Sequence, residues 1–137
     1  MNRRDFQRMA DIRATEAEVL LAAQRYSGAY YLAGYVVGCA LKARIAKQVR
    51  RHEFPDRTRV NQSYTPGMDQ LLRLAGLEPE LDESREADPE LGRHWATVKE
   101  WKEDSRYERV TRKRALELYS AITDPDHGVL TWLQLRW

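Results

Sequence analysis

The sixteen residues 26–41 hold no charged side chain, and this run constrains the fold more than any other feature of the chain. It is shorter than the about 20 apolar residues needed to cross a bilayer, and Ser27 and three glycines interrupt it. A helix that is apolar on every face is normally buried by its neighbours. The sequence therefore predicts a central helix in a bundle, where the small residues Ala33, Gly34 and Gly38 let another backbone approach closely.

Apolar residues at steps of three and four predict amphipathic helices on either side of this segment. The first begins near Asp5 and ends near Arg25. The stretch 57–67, with Pro55 before it, is rich in polar residues and helix breakers and is typical of a connector. A short leucine-rich helix follows, and Gly76 lies where a C-terminal stop residue is expected.

Asp88 and Pro89 together have the features of a helix start, a capping residue followed by a first-turn proline. The apolar residues assigned to that helix are Leu91, Trp95, Val98 and Trp101. The stretch 78–90 holds seven acidic residues against one arginine and predicts a solvated acidic loop. A last helix begins at either Ser105 or Thr111, since both suit a helix cap.

Length and composition predict one compact all-α domain. A chain of 137 residues with 42% hydrophobic and 32% charged residues is long enough for one core and too apolar for a disordered chain. The residues expected to share that core are Tyr31, Tyr35, Leu41, Leu74, Trp95, Trp101 and Leu118. A single cysteine and no apolar stretch resembling a signal peptide near the start predict a cytoplasmic protein.

Residues 129–137 are unusually apolar for a chain terminus. Their large apolar side chains include Trp132, Leu133, Leu135 and Trp137. We expect this tail to dock on the bundle or on a second subunit. A small monomer seldom leaves such a patch exposed, so the sequence also predicts a homodimer.

The residues that most often perform catalysis or bind metals are scattered along the chain. His52, His94, His127 and Cys39 form no ligand pair of the spacing that metal sites show, so neither a metal nor another cofactor is expected. Apolar neighbours predict that Cys39 is buried, whereas a nucleophilic thiolate needs access and a base. A glycine-rich phosphate loop is also missing.

Two basic groups remain, although a net charge of +2 argues against a general nucleic-acid binder. The first group consists of Lys42, Arg44, Lys47, Arg50, Arg51, Arg57 and Arg59. It is interpreted as a solvated face. The second consists of Arg106, Arg109, Arg112, Lys113 and Arg114. It lies beside Trp101 and Tyr107, and arginine with an aromatic ring suits phosphate binding and base stacking.

The segment 28–43, GAYYLAGYVVGCALKA, resembles the HEPN family, small helical domains named for higher eukaryotes, prokaryotes and nucleotide binding. The likeness continues in order through 71–77, Trp95, Val98, Trp101, Arg106, Tyr107, 128–130 and Trp132. The resemblance implies that residues 1–137 form a single HEPN-like domain, an up-and-down bundle of four to five helices that commonly forms a homodimer.

The resemblance also implies several functions. Many HEPN proteins are metal-independent ribonucleases, toxins or defence effectors, with four to six residues between an arginine and a histidine on a late helix. That motif is missing here, because the first histidine after Arg114 is His127, thirteen residues later. Other HEPN domains bind nucleotides or accompany nucleotidyltransferases. The resemblance therefore favours a module that binds a nucleotide, an RNA or a partner, and it implies a place in a toxin-antitoxin or defence system. A metal-independent ribonuclease and an antitoxin-like structural subunit are the alternatives.

The candidate site follows from the positions that match the family and from those that do not. Gly38 stands where an acidic residue is common, and residues 65–68 read TPGM where the subgroup has Thr-His-Asp-Leu. The residues that carry the candidate nucleotide or RNA site are Lys42, Trp101, Arg106 and Tyr107. In the structural alternative, Tyr107 packs in the core and Arg106 pairs with an acidic neighbour, Glu103 or Asp104.

Overall fold

The computed structural model describes residues 1–48 and 67–137, and within these ranges every regular element is a helix. The elements are α1 Arg3–Ala22, α2 Tyr26–Lys47, α3 Met68–Leu74, α4 Glu78–Ala87, α5 Pro89–Val98, a 3-10 helix Glu103–Tyr107, α6 Arg112–Thr123 and α7 Val129–Gln134. The predicted all-α bundle is confirmed. Most of the predicted connector, His52 and the arginines at 50, 51, 57 and 59 lie outside the described residues.

Helix α2 lies at the centre of the bundle, as its sequence predicts. Helices α1, α3, α6 and α7 and the 3-10 helix all pack against it. Val37 and Leu41 of α2 are completely buried. A connection of only three residues, 23–25, joins α1 to α2, so the two helices form a hairpin along their length.

The two glycines among the small residues of α2, Gly34 and Gly38, do not serve the purpose that the sequence suggests. Instead of a backbone, the ring of Trp101 lies against Gly34, so closely that a Cβ atom there would overlap the indole. At Gly38, no heavy atom from outside its own stretch of helix backbone lies within 4 Å of the Cβ position. Gly34 therefore accommodates a large aromatic ring, and Gly38 borders open space.

Helix α1 ends at Ala22, three residues before the end expected near Arg25. Gln24 adopts a left-handed conformation, with φ of 61°, and the Arg25 N–H donates to the Leu20 carbonyl at 2.8 Å. This is the hydrogen bond of a Schellman stop. Gly76 stops α3 in the same conformation, with φ of 70°, as predicted. The glycine at position 76 makes the end of α3 predictable from the sequence. No comparable residue type predicts the end of α1, because the left-handed position there is a glutamine.

The prediction of an acidic loop over 78–90 is wrong, because most of that stretch is helix α4. Leu81, only 2% exposed, anchors this helix in the core. Glu78 and Glu80 lie in its first turn, where negative charge is favourable beside the positive end of the helix dipole. The single buried leucine is too sparse a pattern to be recognised as helical periodicity.

Two of the predicted helix starts are settled by their caps. The Asp88 side chain accepts from the Leu91 N–H at 3.3 Å, which confirms the start of α5. Thr111 accepts from the Arg114 N–H at 3.2 Å, so α6 begins there and Ser105 lies in the separate 3-10 helix. Helix α5 ends at Val98, and Trp101 lies beyond it rather than on its apolar face.

The C-terminal tail docks on its own chain, the first of the two predicted alternatives. Its buried residues are Val129, Leu130, Trp132 and Leu133. The Trp132 indole N–H donates to Ser84 Oγ of α4 at 2.9 Å, and Arg136 stacks on the same ring. Leu135 remains 81% exposed. The tail therefore no longer supplies a reason to expect a second subunit.

The predicted core is largely confirmed. Fully buried members of the predicted set are Leu41, Trp95, Trp101 and Leu118. Tyr31, Tyr35 and Leu74 are partly buried and pack against the same core. The tyrosines stop short of full burial because their hydroxyl groups form the polar contacts described below.

We expect Gly34→Ala to destabilise the fold, because the new methyl group would overlap the Trp101 ring. Overpacking of this kind costs roughly 1 to 3 kcal/mol, which exceeds the gain in helix propensity of about 1 kcal/mol. The control is Gly38→Ala in the same helix, which meets no atom and should keep or raise stability. Urea denaturation of the two variants measures the difference; equal stability would contradict the close packing of Trp101.

Candidate functional site

The four predicted site residues line two different hollows, one on the inner side and one on the outer side of the segment 101–107. Lys42 and Trp101 line a partly open cavity, whereas Arg106 and Tyr107 line a shallow depression on the surface. Glu103 borders both. Lys42 and Trp101 therefore line one hollow and Arg106 and Tyr107 line another, with Glu103 between the two.

The cavity lies between α1, α2 and α3 and has a volume of about 340 Å³. Its apolar walls include Phe6, Met9, Met68 and Leu71. Its polar groups come from Arg13, Tyr35, Cys39, Lys42, Trp101 and Glu103. Sequence reasoning missed Arg13, Tyr35 and Glu103, and it gave no indication of the cavity, since open space at Gly38 leaves no mark in a sequence.

Trp101 forms one wall of the cavity and is only 4% exposed. Its ring meets that of Tyr35 edge to face at 5.6 Å and that of Tyr31 at 6.0 Å. The indole Nε1 is buried and has no hydrogen-bond partner. Trp101 therefore cannot stack on a base from the solvent side, and the predicted role on an outer RNA surface does not suit it.

Two tyrosines and Glu103 form a chain of hydrogen bonds beside the cavity. The Tyr31 hydroxyl donates to the Tyr35 hydroxyl at 3.3 Å, and Tyr35 donates to Glu103 Oε1 at 3.1 Å. The hydrogen bond from Tyr31, then burial and the negative charge of Glu103, raise the pKa of Tyr35. Tyr35 therefore remains a neutral donor over the physiological pH range.

Arg106 and Tyr107 are both exposed at the surface, and Arg106 also lies beside the Tyr31 hydroxyl. Tyr107 is 77% exposed, and the Arg106 guanidinium carbon lies 4.8 Å from the centre of its ring, a cation–π distance. Within the described ranges Arg106 forms no ion pair with Glu103 or Asp104. The structural alternative of a core tyrosine and an internally paired arginine is therefore wrong.

The other basic residues near α6 differ in how far they are neutralised. Arg114 pairs with Glu108 at 2.9 Å and donates to the Tyr30 hydroxyl at 3.2 Å. Lys113 lies 3.9 Å from Glu117. Arg109 and Arg112 are exposed and form no ion pair with any described residue. We call Arg106, Tyr107, Arg109 and Arg112 the outer basic edge.

The first basic group has a structural role where it is described. Arg44 Nη1 donates to the Arg136 carbonyl at 3.0 Å, and Lys47 Nζ donates to the same oxygen at 3.3 Å. Arg44 also reaches the Ala75 carbonyl at 3.4 Å. These contacts tie α2 to carbonyl groups beyond the ends of α7 and α3, so the half-buried Arg44 does not belong to the solvated face that the sequence predicts.

Cys39 is buried, as predicted, and burial raises the pKa of its thiol. The histidines are less isolated than the sequence suggests: His94 Nδ1 lies 2.8 Å from the His127 carbonyl. His127 in turn contacts Asp88 at 2.7 Å and Glu90 at 3.1 Å. Among residues 1–48 and 67–137, no group of three potential ligands is arranged to hold a metal ion.

Comparison with family models, curated proteins and solved structures finds no match to this chain. None of the helices in the described ranges is long and apolar enough to cross a membrane. What the chain binds must therefore be argued from the geometry of the two faces.

We expect the contribution of His127 to stability to depend on pH. Its contact with Asp88 raises the pKa of His127 and lowers that of Asp88. The ion pair therefore stabilises the fold most between the unfolded pKa values, about 4 for Asp and about 6.5 for His. Its contribution is lost as the pH rises through the raised pKa of His127, or falls through the lowered pKa of Asp88.

The measurement is the difference in melting temperature between the wild type and His127→Gln, recorded near pH 5.5 and near pH 9. The difference should be larger at the lower pH. Asp88→Asn keeps an acceptor for the Leu91 N–H and serves as the second arm of a double-mutant cycle. A difference that does not change with pH would contradict the ion pair.

Proposed function

We propose that this protein is a HEPN-like module that binds single-stranded RNA on the outer basic edge. The observation that carries the proposal is the stacking of the Arg106 guanidinium on the exposed ring of Tyr107, without a carboxylate partner among the described residues. Single-stranded RNA offers both groups that such a pair recognises, a phosphate for the arginine and an unstacked base for the ring.

The exposure of Tyr107 supports a stacking role. Tyr107 gains little from burial in the free protein, since 77% of it faces solvent. The Arg106 guanidinium above the ring restricts the rotamers of both side chains. The entropic cost of this restriction is small. A base that stacks on this ring would bury apolar area that the free protein leaves exposed.

The start of α6 provides a second argument. Arg112, Lys113 and Arg114 occupy its first turn, and the helix has no acidic residue there. Cations at that position are unfavourable, because the helix dipole places partial positive charge at the N-terminus. Glu108 and Glu117 offset Arg114 and Lys113, while Arg112 has no such partner among the described residues. A bound phosphate would relieve this repulsion.

Binding is favoured over cleavage because no histidine accompanies the outer basic edge in the described ranges. His127 engages Asp88 and Glu90 through both ring nitrogens and has none left to act as a base. The resemblance to HEPN proteins extends the proposal to a cytoplasmic toxin-antitoxin or defence system, with a nucleotidyltransferase, a toxin or an antitoxin as partner.

We expect Arg106→Ala to weaken RNA binding at least about tenfold, because it removes one charge-assisted contact. Binding is measured by fluorescence anisotropy with a labelled single-stranded oligoribonucleotide in low salt. The matched control is Arg93→Ala, which removes an exposed arginine 4.0 Å from Glu90 on α5. Equal affinity of the two variants would refute the proposed surface.

The same samples separate binding from catalysis. Incubation of the oligoribonucleotide with chelator present should leave it intact. Cleavage that survives chelation and disappears in Arg106→Ala would replace the binding module with a metal-independent ribonuclease. No binding by the wild type would favour the antitoxin-like structural subunit instead.

We also propose that the protein is a homodimer that uses the outer face of α1. Ile12 and Val19, which are 42% and 61% exposed, lie seven residues apart and therefore on the same side of that helix. Light scattering at high concentration should give twice the chain mass for the wild type and a monomer for Val19→Glu. Glu117→Ala, a change on exposed α6 surface, is the control. A monomeric wild type would contradict the proposal.

A further inference from the structure

The surface depression beside the 3-10 helix carries negative as well as positive charge. It has a volume of about 280 Å³, and its lining residues are Lys102, Glu103, Asp104, Arg106 and Tyr107. Carboxylates repel a phosphate backbone, so a surface that bound RNA through charge alone would be stronger without them. The two carboxylates therefore point to a group of the ligand other than phosphate.

The 3-10 helix places one of these carboxylates close to the exposed ring. Side chains three residues apart in such a helix lie on the same side, which brings Asp104 next to Tyr107. Asp104 is exposed and forms no hydrogen bond or ion pair with any described residue. Glu103, in contrast, already accepts a hydrogen bond from Tyr35 at 3.1 Å. Asp104 is therefore the carboxylate that is available to a ligand in the depression.

Arg106 covers only one face of the Tyr107 ring. Its guanidinium carbon lies 4.8 Å from the ring centre, yet 77% of the tyrosine is exposed. Arg106 also lies beside the Tyr31 hydroxyl, so it is held from a second side. The other face of the Tyr107 ring is therefore open to a flat base, whose polar edge would extend over the depression.

The four RNA bases differ in what they present to a carboxylate. Guanine has two adjacent donors on its Watson–Crick edge, the N–H of the ring and the 2-amino group, and they match the two oxygens of a carboxylate. Adenine and cytosine place a ring nitrogen acceptor beside their amino group, and uracil has carbonyl oxygens on both sides of its N–H. These acceptors are repelled by the oxygens of Asp104, so the carboxylate favours guanine.

We propose that the depression selects a guanine base in single-stranded RNA and that Asp104 determines this selectivity. This selection rests on the proposed function, RNA binding at the outer basic edge. The base stacks on the open face of Tyr107, and Asp104 accepts both donors of its Watson–Crick edge. Arg106 holds a neighbouring phosphate. Because Asp104 also repels phosphate, strands that lack guanine bind less well, which increases the selectivity.

The first experiment compares oligoribonucleotides by fluorescence anisotropy in low salt. The probes are labelled uridine strands with one central guanosine, inosine or adenosine. We expect the guanosine strand to bind at least about tenfold more tightly than the adenosine strand, which is within the discrimination that one bidentate base contact provides. The inosine strand, which lacks the 2-amino group, should have an intermediate affinity.

The outcomes of this comparison separate the two proposals. Equal affinity for the guanosine and adenosine strands, with binding that is still weakened by Arg106→Ala, overturns the guanine site and leaves RNA binding in place. No binding of any strand overturns both proposals.

The second experiment uses Asp104→Asn, which keeps the size of the side chain and removes its charge. The preference for guanosine over adenosine should fall by about tenfold, and the adenosine strand should bind more tightly than it does to the wild type. The matched control is Glu100→Gln, which removes an exposed negative charge outside the depression and should leave the preference unchanged. An Asp104→Asn variant that keeps the full preference overturns the assignment to Asp104.

A competition experiment identifies the source of the guanine. Guanosine monophosphate at the same concentration as the strand should displace little of it, because a single nucleotide leaves Arg109 and Arg112 without a phosphate. Complete displacement under these conditions would overturn RNA as the source of the base.

Discussion

The contact between the Trp101 ring and Gly34 determines how the rest of the candidate surfaces are arranged. Trp101 follows the end of α5, and its ring can reach the axis of α2 only because position 34 lacks a side chain. This contact holds the segment 101–107 against the central helix. The inner side of that segment then becomes a cavity wall, and the side chains of Arg106 and Tyr107 remain outside.

The cations near the candidate surfaces, among the described residues, fall into two sets with different physical roles. Arg44 and Arg114 are satisfied within the fold by carbonyl groups, a carboxylate or a tyrosine. Arg106, Arg109 and Arg112 lie on one short stretch and have no acidic partner among the described residues. A net charge of +2 conceals this separation. Helix α4 carries many of the acidic residues, and Glu103 and Asp104 line the same surface depression as Arg106.

Much of the fold can be predicted from the sequence, since the local chemistry of the residues determines where the helices form. The uncharged run of α2 predicts burial, and the caps of α5 and α6 and the stop at Gly76 follow from residue types at the helix ends. Helix α4 was missed because one leucine anchors it, and the left-handed Gln24 has no sequence signal. The division of the predicted site was also missed. It depends on a contact between residues 34 and 101, and composition and periodicity carry no information about such distant pairs.

The protonation of the cavity groups explains why the cavity suits binding better than nucleophilic chemistry. Burial raises the pKa of the Cys39 thiol, and the contacts of Tyr35 with Tyr31 and Glu103 raise the pKa of its hydroxyl. Both groups therefore keep their protons at neutral pH, and a protonated thiol or phenol is a poor nucleophile. The same groups can still donate hydrogen bonds. Apolar walls and retained protons together make the cavity poorly suited to nucleophilic attack.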